Sequence, residues 1–113
     1  MSVPEFKAVD VKGKEYTSDQ FKGKAQVLDF WFTGCVPCRA EMPYMEKLAD
    51  EMEGMPIVFV SMSLDTGNEL VGLWKQMVEG KKGAEFHLNV PEGFKSDLAK
   101  AYLIRSVPRI VII

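Results

Sequence analysis

The two cysteines of the chain, Cys35 and Cys38, are separated by two residues and directly follow the apolar run 27–32. Sulfurs at this spacing in the first turn of a helix can bond with little movement of the backbone. The ring that such a disulfide closes is short, so it removes little entropy from the unfolded chain and stabilises a fold only weakly. The spacing therefore indicates a redox-active pair of thiols and not a structural crosslink.

The residues next to Cys35 favour a nucleophilic thiol at that position. Thiolate is the attacking form of cysteine, and the unpaired N–H groups and positive dipole at a helix start stabilise it. Thr33 and Gly34 are typical of a turn or cap, and Pro37 is tolerated in a first helical turn because its missing N–H has no partner there. We therefore expect Cys35 to attack and Cys38, one turn deeper, to resolve the mixed disulfide.

The elements that would position these cysteines alternate between strand and helix patterns. The periodicity predicts a hairpin over 5–17, one helical turn over 17–21, strands over 25–32, 57–62, 86–90 and 109–113, and helices over 35–53, from beyond Asp65 to near Gly80, and over 94–102. The first long helix would bury Met42, Met45, Leu48, Ala49 and Met52, and the second would bury Leu70, Leu73, Trp74 and Met77. This order predicts a single α/β domain over 1–113.

The segment 29–45, DFWFTGCVPCRAEMPYM, resembles the active-site segment of the thioredoxin superfamily, and within it the TlpA/ResA-like thiol-disulfide oxidoreductases. Glu41, three residues after the second cysteine and two before Pro43, is the mark of that branch. The segment 104–108, IRSVP, resembles the one that carries the superfamily's cis-proline. The resemblance implies a central mixed sheet flanked by helices, with an N-terminal hairpin and a central α/β insertion at about 66–98.

The final segment, 109–113, has the pattern of a central strand, whereas the fold implied by the resemblance continues with a further strand and helix. An apolar strand at an uncovered edge would expose unpaired backbone groups. We therefore expect either a truncated sequence that lacks the C-terminal strand and helix, or an edge covered by another chain. No signal-peptide pattern is present, and Met1-Ser2 is interpreted as the start of an excised or mature domain.

The resemblance also implies roles for residues besides the cysteines. It places Asp29 as a buried acid behind the second cysteine, and the lysine that partners this acid in typical thioredoxins corresponds to Ser61. Glu41, one helical turn beyond Cys38, would tune that thiol or take its proton. Trp31 would lie beside the disulfide. Each residue also has an ordinary interpretation. Asp29 would be an exposed acid at a strand edge, Glu41 a solvated carboxylate on a helix, and Trp31 an aromatic residue of the core.

In the superfamily pattern, a cis bond at Val107-Pro108 directs the Val107 backbone toward the disulfide, where an extended substrate segment can pair with it. The alternative is a tight turn that enters a strand. Gly34 replaces the tryptophan common before the first cysteine, which would widen the groove. The residues expected to contact substrate are Trp31, Gly34, Val36, Pro37, Val107 and Pro108.

Composition and charge exclude several other classes of protein. A chain of 113 residues, 47% hydrophobic and 27% charged, fits one domain with a sizeable core. The net charge of −2 offers no electrostatic footprint for nucleic acid. The chain also lacks an apolar stretch of the roughly 20 residues that a membrane helix needs.

The sequence fits three rival functions less well. A zinc site would need four ligands, more than the two cysteines and His87 supply, so His87 is interpreted as structural and neither a metal nor a dissociable cofactor is expected. A copper chaperone of this fold would have three residues between its cysteines. A thiol peroxidase would carry a threonine three residues before the reactive cysteine, whereas Thr33 lies two before Cys35. Soft copper ligands could come from Met42, Met45, Met52 and Met55, but their helical spacing favours core packing.

The sequence is therefore expected to encode a thiol-disulfide oxidoreductase that exchanges disulfides with protein substrates, acting as a reductant. An electron-donor protein would regenerate its dithiol. The resemblance implies a location outside the cytoplasm, in the bacterial periplasm or cell envelope, with any membrane tether outside this sequence.

Overall fold

A computed structural model describes residues 5–113, so the interpretation of Met1-Ser2 lies outside the described residues. The strands are β1 (Lys7–Val9), β2 (Glu15–Thr17), β3 (Ala25–Trp31), β4 (Ile57–Ser63), β5 (Phe86–Asn89) and β6 (Arg109–Ile112). The helices are α1 (Val36–Glu51), α2 (Asn68–Val78) and α3 (Asp97–Ala101), with 3₁₀ turns at Ser18–Phe21 and Gly93–Lys95.

The six strands form one mixed sheet in the order β2-β1-β5-β4-β3-β6. The three inner strands β3, β4 and β5 run parallel, whereas β1, β2 and β6 are paired antiparallel with their neighbours. Every residue of β3 after Ala25 is buried, because both faces of this strand are covered. The predicted α/β class, the mixed sheet and the N-terminal hairpin are thus confirmed.

Successive side chains of β3 point to opposite faces of the sheet. Leu28 and Phe30 join the larger core cluster on one face. Val27 and Trp31 pack on the other face with residues of α1. Asp29 belongs to this second face by its position between them, which places its carboxyl under the helix that follows the cysteines.

The buried face of α2 differs from the prediction. Leu70 and Leu73 are 45% and 46% exposed, whereas Trp74 and Val78 are buried and Val71 packs beside them. Two apolar rows run along this helix at helical spacing, and the row 71-74-78 is the one that reaches the core. The prediction was therefore wrong for Leu70 and Leu73, but right for Trp74 and for Met77, which packs partly buried against the same cluster.

The helix predicted over 94–102 is interrupted at Ser96. Its hydroxyl caps α3 by accepting the N–H of Ala99 at 3.1 Å, so the residues before it form a separate 3₁₀ turn. The prediction missed this cap inside an apolar pattern.

Two apolar side chains assigned to the core lie at the surface instead. Met55 follows α1 and is 54% exposed, and Leu48 within the helix is 42% exposed. Met42 is buried, and Met45 and Met52 pack partly buried against a small cluster around Phe59. Core packing therefore accounts for three of the four methionines but not for Met55.

The strand β6 pairs with β3 and lies at one edge of the sheet formed by residues 5–113, whereas a central strand was predicted. The side chains of this strand alternate between the two faces of the sheet. Val111 and Ile113 pack against the larger core, whereas Ile110 and Ile112 on the opposite face are 43% and 69% exposed. Within residues 5–113, the structure contains no helix with both the length and the apolar character needed to cross a membrane.

Candidate active site

Cys35 and Cys38 are joined by a disulfide at the start of α1, where Cys35 is the N-cap residue. The backbone N–H of Cys38 donates a hydrogen bond to Cys35 Sγ across 3.2 Å. Pro37 occupies the first turn, where its missing N–H leaves no helical bond unmade. One of the unpaired N–H groups of the helix start is thus directed at the sulfur of Cys35.

Both cysteines are buried, and Cys35 is slightly more exposed than Cys38. Cys35 is 7% exposed and Cys38 is 3% exposed. The three neighbours of Cys35, namely Gly34, Val36 and Pro37, are all exposed, and Val36 is 70% exposed. The disulfide therefore lies just under the surface, with Cys35 on its outer side.

An apolar cluster supports the disulfide from below. Both cysteines pack with Trp31, Trp74 and Met42 in this cluster. Trp31 therefore lies beside the disulfide, but it is only 1% exposed. The predicted contact between Trp31 and substrate does not fit this burial, because the indole presents almost no surface.

Val107 and Pro108 approach the same site from the loop before β6. The peptide bond between them is cis. Val107 is half-buried and packs against the cluster that holds the disulfide, while Pro108 is exposed. The structure thus brings a segment 69 residues after Cys38 in the chain next to the cysteine pair.

Asp29 is a buried acid, 5% exposed, in the middle of β3. Its partner on the neighbouring strand is Ser61, so no cation lies at the cross-strand position. Burial, reinforced by the negative charge of Glu41, raises the pKa of Asp29 to about 7. A carboxyl that titrates near neutral pH can both accept and release a proton under physiological conditions.

Glu41 lies on α1 with its side chain exposed. Burial is the main cause of the raised pKa of Asp29, and the negative charge of Glu41 adds to it. The two predicted acids are therefore electrostatically coupled, one at the surface and one beneath it.

Three polar residues lie side by side across neighbouring strands on this face of the sheet. Asp29 on β3 is paired with Ser61 on β4, and Ser61 is paired with His87 on β5. Burial lowers the pKa of His87 to about 4, so its imidazole is neutral at pH 7. Burial, with the nearby charges of Asp29 and Glu46, raises the pKa of Glu85 to about 8. The predicted structural role of His87 stays open, since the row links it to buried acids.

The loop before Cys35 is anchored by residues that sequence spacing did not predict. Asp65 accepts hydrogen bonds from the backbone N–H of Thr33 at 3.1 Å, from the Thr33 hydroxyl at 2.9 Å and from the Ser63 hydroxyl at 2.6 Å. The amide of Asn89 donates to the Asp65 carbonyl at 3.0 Å. All four residues are buried. The one available signal was a polar cluster at the end of a buried strand, Ser63 to Asp65.

A known protein family matches this chain over nearly its whole length. The profile of the family described as Redoxin matches residues 1–112. The chain belongs to the Redoxin family.

Among curated proteins, this Redoxin domain is similar to the thiol-disulfide oxidoreductase ResA of Bacillus thuringiensis subsp. konkukian, with 37% identity over 62 residues. A second match is ResA of Oceanobacillus iheyensis, with 50% identity over 50 residues. The first alignment covers 55% of this chain and 36% of the ResA protein, and the second 44% and 26%. The match thus spans about a third or less of the length of these relatives.

Solved structures show the same fold. The thioredoxin domain of a thiol-disulfide oxidoreductase from Bacteroides vulgatus superposes with a TM-score of 0.83 at 28% identity, covering 100% of this chain and 79% of that one. The pneumococcal exposed lipoprotein thioredoxin from Streptococcus pneumoniae gives a TM-score of 0.73 at 27% identity, with 97% and 81% coverage. The thioredoxin-like fold and the TlpA/ResA-like resemblance predicted from segment 29–45 are confirmed.

Proposed function

We propose that this chain is the catalytic domain of a thiol-disulfide oxidoreductase that reduces disulfides in protein substrates. The observation that carries the proposal is the asymmetry of the cysteine pair. Cys35 caps a helix, accepts an N–H at its sulfur and lies nearer the surface, whereas Cys38 is one turn deeper. The similarity to proteins named ResA supports the same activity.

In the proposed reaction, the Cys35 thiolate attacks one sulfur of a substrate disulfide. A mixed disulfide forms, and the other substrate sulfur leaves as a thiolate and takes up a proton. Cys38 then loses its proton and attacks Cys35 Sγ, which releases the second substrate thiol and leaves the Cys35–Cys38 disulfide seen here. Two electrons pass from the enzyme dithiol to the substrate, and an electron-donor protein must return them.

Asp29 and Glu41 are proposed to manage the proton of Cys38. The second step needs a base as the deeper thiol becomes a nucleophile. Asp29 is buried beneath α1, and this burial, with a smaller contribution from the charge of Glu41, raises its pKa to about 7. Negative charge near the sulfurs also disfavours the thiolate and makes the couple more reducing.

The substrate is proposed to lie across the exposed residues around Cys35. Gly34, Val36 and Pro37 form one side of this surface, and Val107 with Pro108 forms the other. An extended segment could add to the Val107 backbone as an extra strand. The buried Trp31 would support this surface from below without contact to substrate.

The cellular setting is proposed from the relatives. One neighbour is described as an exposed lipoprotein thioredoxin, which supports a place in the cell envelope and a tether outside this sequence. The chemistry described above requires the two cysteines and no dissociable cofactor. The segment 66–98, which holds α2 and β5, is proposed as the insertion within a single domain.

Insulin reduction tests the activity. The wild-type chain, kept reduced by dithiothreitol, should speed the precipitation of insulin, and Cys35→Ala should abolish this acceleration. Cys38→Ala should instead accumulate a mixed disulfide through Cys35, visible by mass spectrometry. Acceleration that survives in Cys35→Ala, or peroxide consumption without insulin reduction, would contradict the proposal.

The direction of electron flow has its own test. Equilibration with glutathione buffers measures the potential of the cysteine pair. A couple more reducing than glutathione supports the role of reductant, and a more oxidising couple contradicts it.

A further inference from the structure

Three side chains that can bind a metal ion meet on the face of the sheet covered by α1. Glu46 projects from α1, Glu85 immediately precedes β5, and His87 lies within that strand. Donor atoms of these three residues all lie within 4.8 Å of one another. The chain therefore brings together two carboxylates and its single imidazole from segments about 40 residues apart.

Two of these groups are buried without hydrogen-bond partners. The side chain of Glu85 is 4% exposed, and its Oε2 atom has no partner among the described residues. His87 Nδ1 is also buried without a hydrogen-bond partner among the described residues. The nearest approach between the two side chains, His87 Nε2 to Glu85 Oε1, is 3.8 Å and too long for a hydrogen bond. A buried polar atom without a partner is destabilising, so a binding partner for this pair of side chains is expected here.

The backbone holds these groups beside one another. The N–H of Ala84 donates to Asp50 Oδ1 of α1 at 2.7 Å, which ties the segment before β5 to the helix. Asp50 lies one turn after Glu46 on that helix. The segment that carries Glu85 is thus fixed next to α1 without any ion.

The chemistry of the three donors suits zinc. Zinc binds imidazole nitrogen and carboxylate oxygen at about 2.0–2.2 Å, and three protein ligands with one water are a common set. Tetrahedral geometry at that distance separates the donors by roughly 3.3 Å, which side-chain rotation from the observed spacing can reach. We propose that Glu46, Glu85 and His87 form a binding site for Zn²⁺.

Lys81 is the cation that zinc would displace. Its Nζ lies 2.6 Å from Glu46 Oε1, and both side chains are about one-third exposed at 31% and 28%. The ammonium group occupies the solvent side of the cluster and neutralises Glu46 there. Zinc entry must break this ion pair, so Lys81 lowers the affinity of the site.

Calorimetric titration of the oxidised, untagged, chelator-treated protein with Zn²⁺ tests the site. The closed disulfide removes both thiols as competing ligands, since no other cysteine is present. We expect one equivalent of Zn²⁺ to bind, and both His87→Gln and Glu46→Gln to weaken binding at least tenfold. Glu51→Gln, which removes the same charge from an exposed position of α1, is the matched control and should bind as the wild type does.

Two results would overturn the proposal. The first is no binding by the wild-type chain, and the second is wild-type affinity in folded Glu46→Gln. Circular dichroism identifies variants that fail to fold. If His87→Gln is unfolded, the test depends on Glu46→Gln, because Glu46 is only half-buried and its substitution should be tolerated. The cluster contains neither cysteine, so insulin reduction by Glu46→Gln separates this outcome from that of the proposed function.

Lys81→Met should change the zinc affinity in the opposite direction to His87→Gln and Glu46→Gln. Without the competing ammonium group, Zn²⁺ should bind several-fold more tightly than to the wild type. Unchanged or weaker binding by this variant would contradict the assignment of Lys81 as the displaced cation.

Discussion

Asp29 and Ser61 lie directly opposite each other on the parallel strands β3 and β4, and both are buried. The carboxyl therefore has a hydroxyl-bearing residue as its cross-strand neighbour and no cation to offset its charge. Desolvation then dominates, and the pKa of Asp29 rises from its ordinary value of 3.8 to about 7. A proton-handling role for Asp29 depends on this arrangement.

The stability of the oxidised protein should reflect the raised pKa of Asp29. The folded state binds this proton more tightly than the unfolded state, so the contribution of Asp29 to stability falls as pH rises from about 4 to about 7. Asp29→Asn should therefore be more stable than the wild type at pH 8, by at most about 4 kcal/mol, and the difference should shrink toward pH 4. Urea unfolding at several pH values measures it.

Asp19→Asn is the control for this comparison, because Asp19 is an exposed acid 3.2 Å from Lys22. Its difference from the wild type should not grow between pH 4 and pH 8 in the same way. The pKa of Glu85 is also raised, to about 8, but Glu85 is present in the wild type and in both variants, so its contribution cancels in each comparison. Parallel pH curves for wild type and Asp29→Asn would show that Asp29 is well solvated.

Glu41→Gln should shift the titration of Asp29 to lower pH, because the charge of Glu41 contributes to raising that pKa. The step in which Cys38 resolves the mixed disulfide should slow by roughly tenfold or more if Glu41 assists proton transfer. Stopped-flow measurement of that step between pH 5 and pH 9 tests both effects. Glu51→Gln, further along the same helix, should change neither, and a Glu41→Gln profile that overlays the wild type would remove the role.

Asp65 is expected to position Cys35 through Thr33. Asp65→Ala leaves the Thr33 N–H and the hydroxyls of Thr33 and Ser63 without their acceptor in a buried setting. We expect a loss of about 2–4 kcal/mol in the free energy of unfolding and slower insulin reduction. Asp65→Asn keeps one carbonyl oxygen and should recover part of both.

Asp10→Ala is the matched control for Asp65. Asp10 also accepts two backbone N–H bonds, from Lys12 and Lys14 at 2.9 Å each, but in an exposed turn. Its loss should cost less than about 1 kcal/mol and leave insulin reduction unchanged. Equal effects of Asp10→Ala and Asp65→Ala on the reduction rate would contradict a positioning role for Asp65.

Local patterns were sufficient to predict most of the sheet and the cysteine pair. The run 27–32 is apolar at every position but Asp29, as a strand covered on both faces requires. The helix start at Cys35 was also predicted, although the cap is Cys35 itself and not Thr33 or Gly34. The pattern of α2 predicted Trp74 and Met77 correctly but chose Leu70 and Leu73 over Val71 and Val78. Both choices fit helical spacing, and only packing in the folded protein selects between them.

The polar clusters could not be predicted from spacing. Asp65 acts on a residue 32 positions earlier, and Glu46 meets His87 from 41 positions away, so neither pair leaves a local signature. Ser63, Asp65 and Asn89 resemble ordinary strand-end polar residues in the sequence. Only strand register, which places β5 beside β4, brings them together.

The central claim is that Cys35 is the attacking thiolate and Cys38 the sheltered resolving thiol. Iodoacetamide labelling of the reduced protein at pH 7, followed at each cysteine by mass spectrometry, tests it most directly. The helix start and the N–H directed at Cys35 Sγ predict that Cys35 reacts about three- to tenfold faster than free glutathione, and faster than Cys38. Labelling of Cys35 no faster than glutathione, or labelling of Cys38 first, would contradict the account.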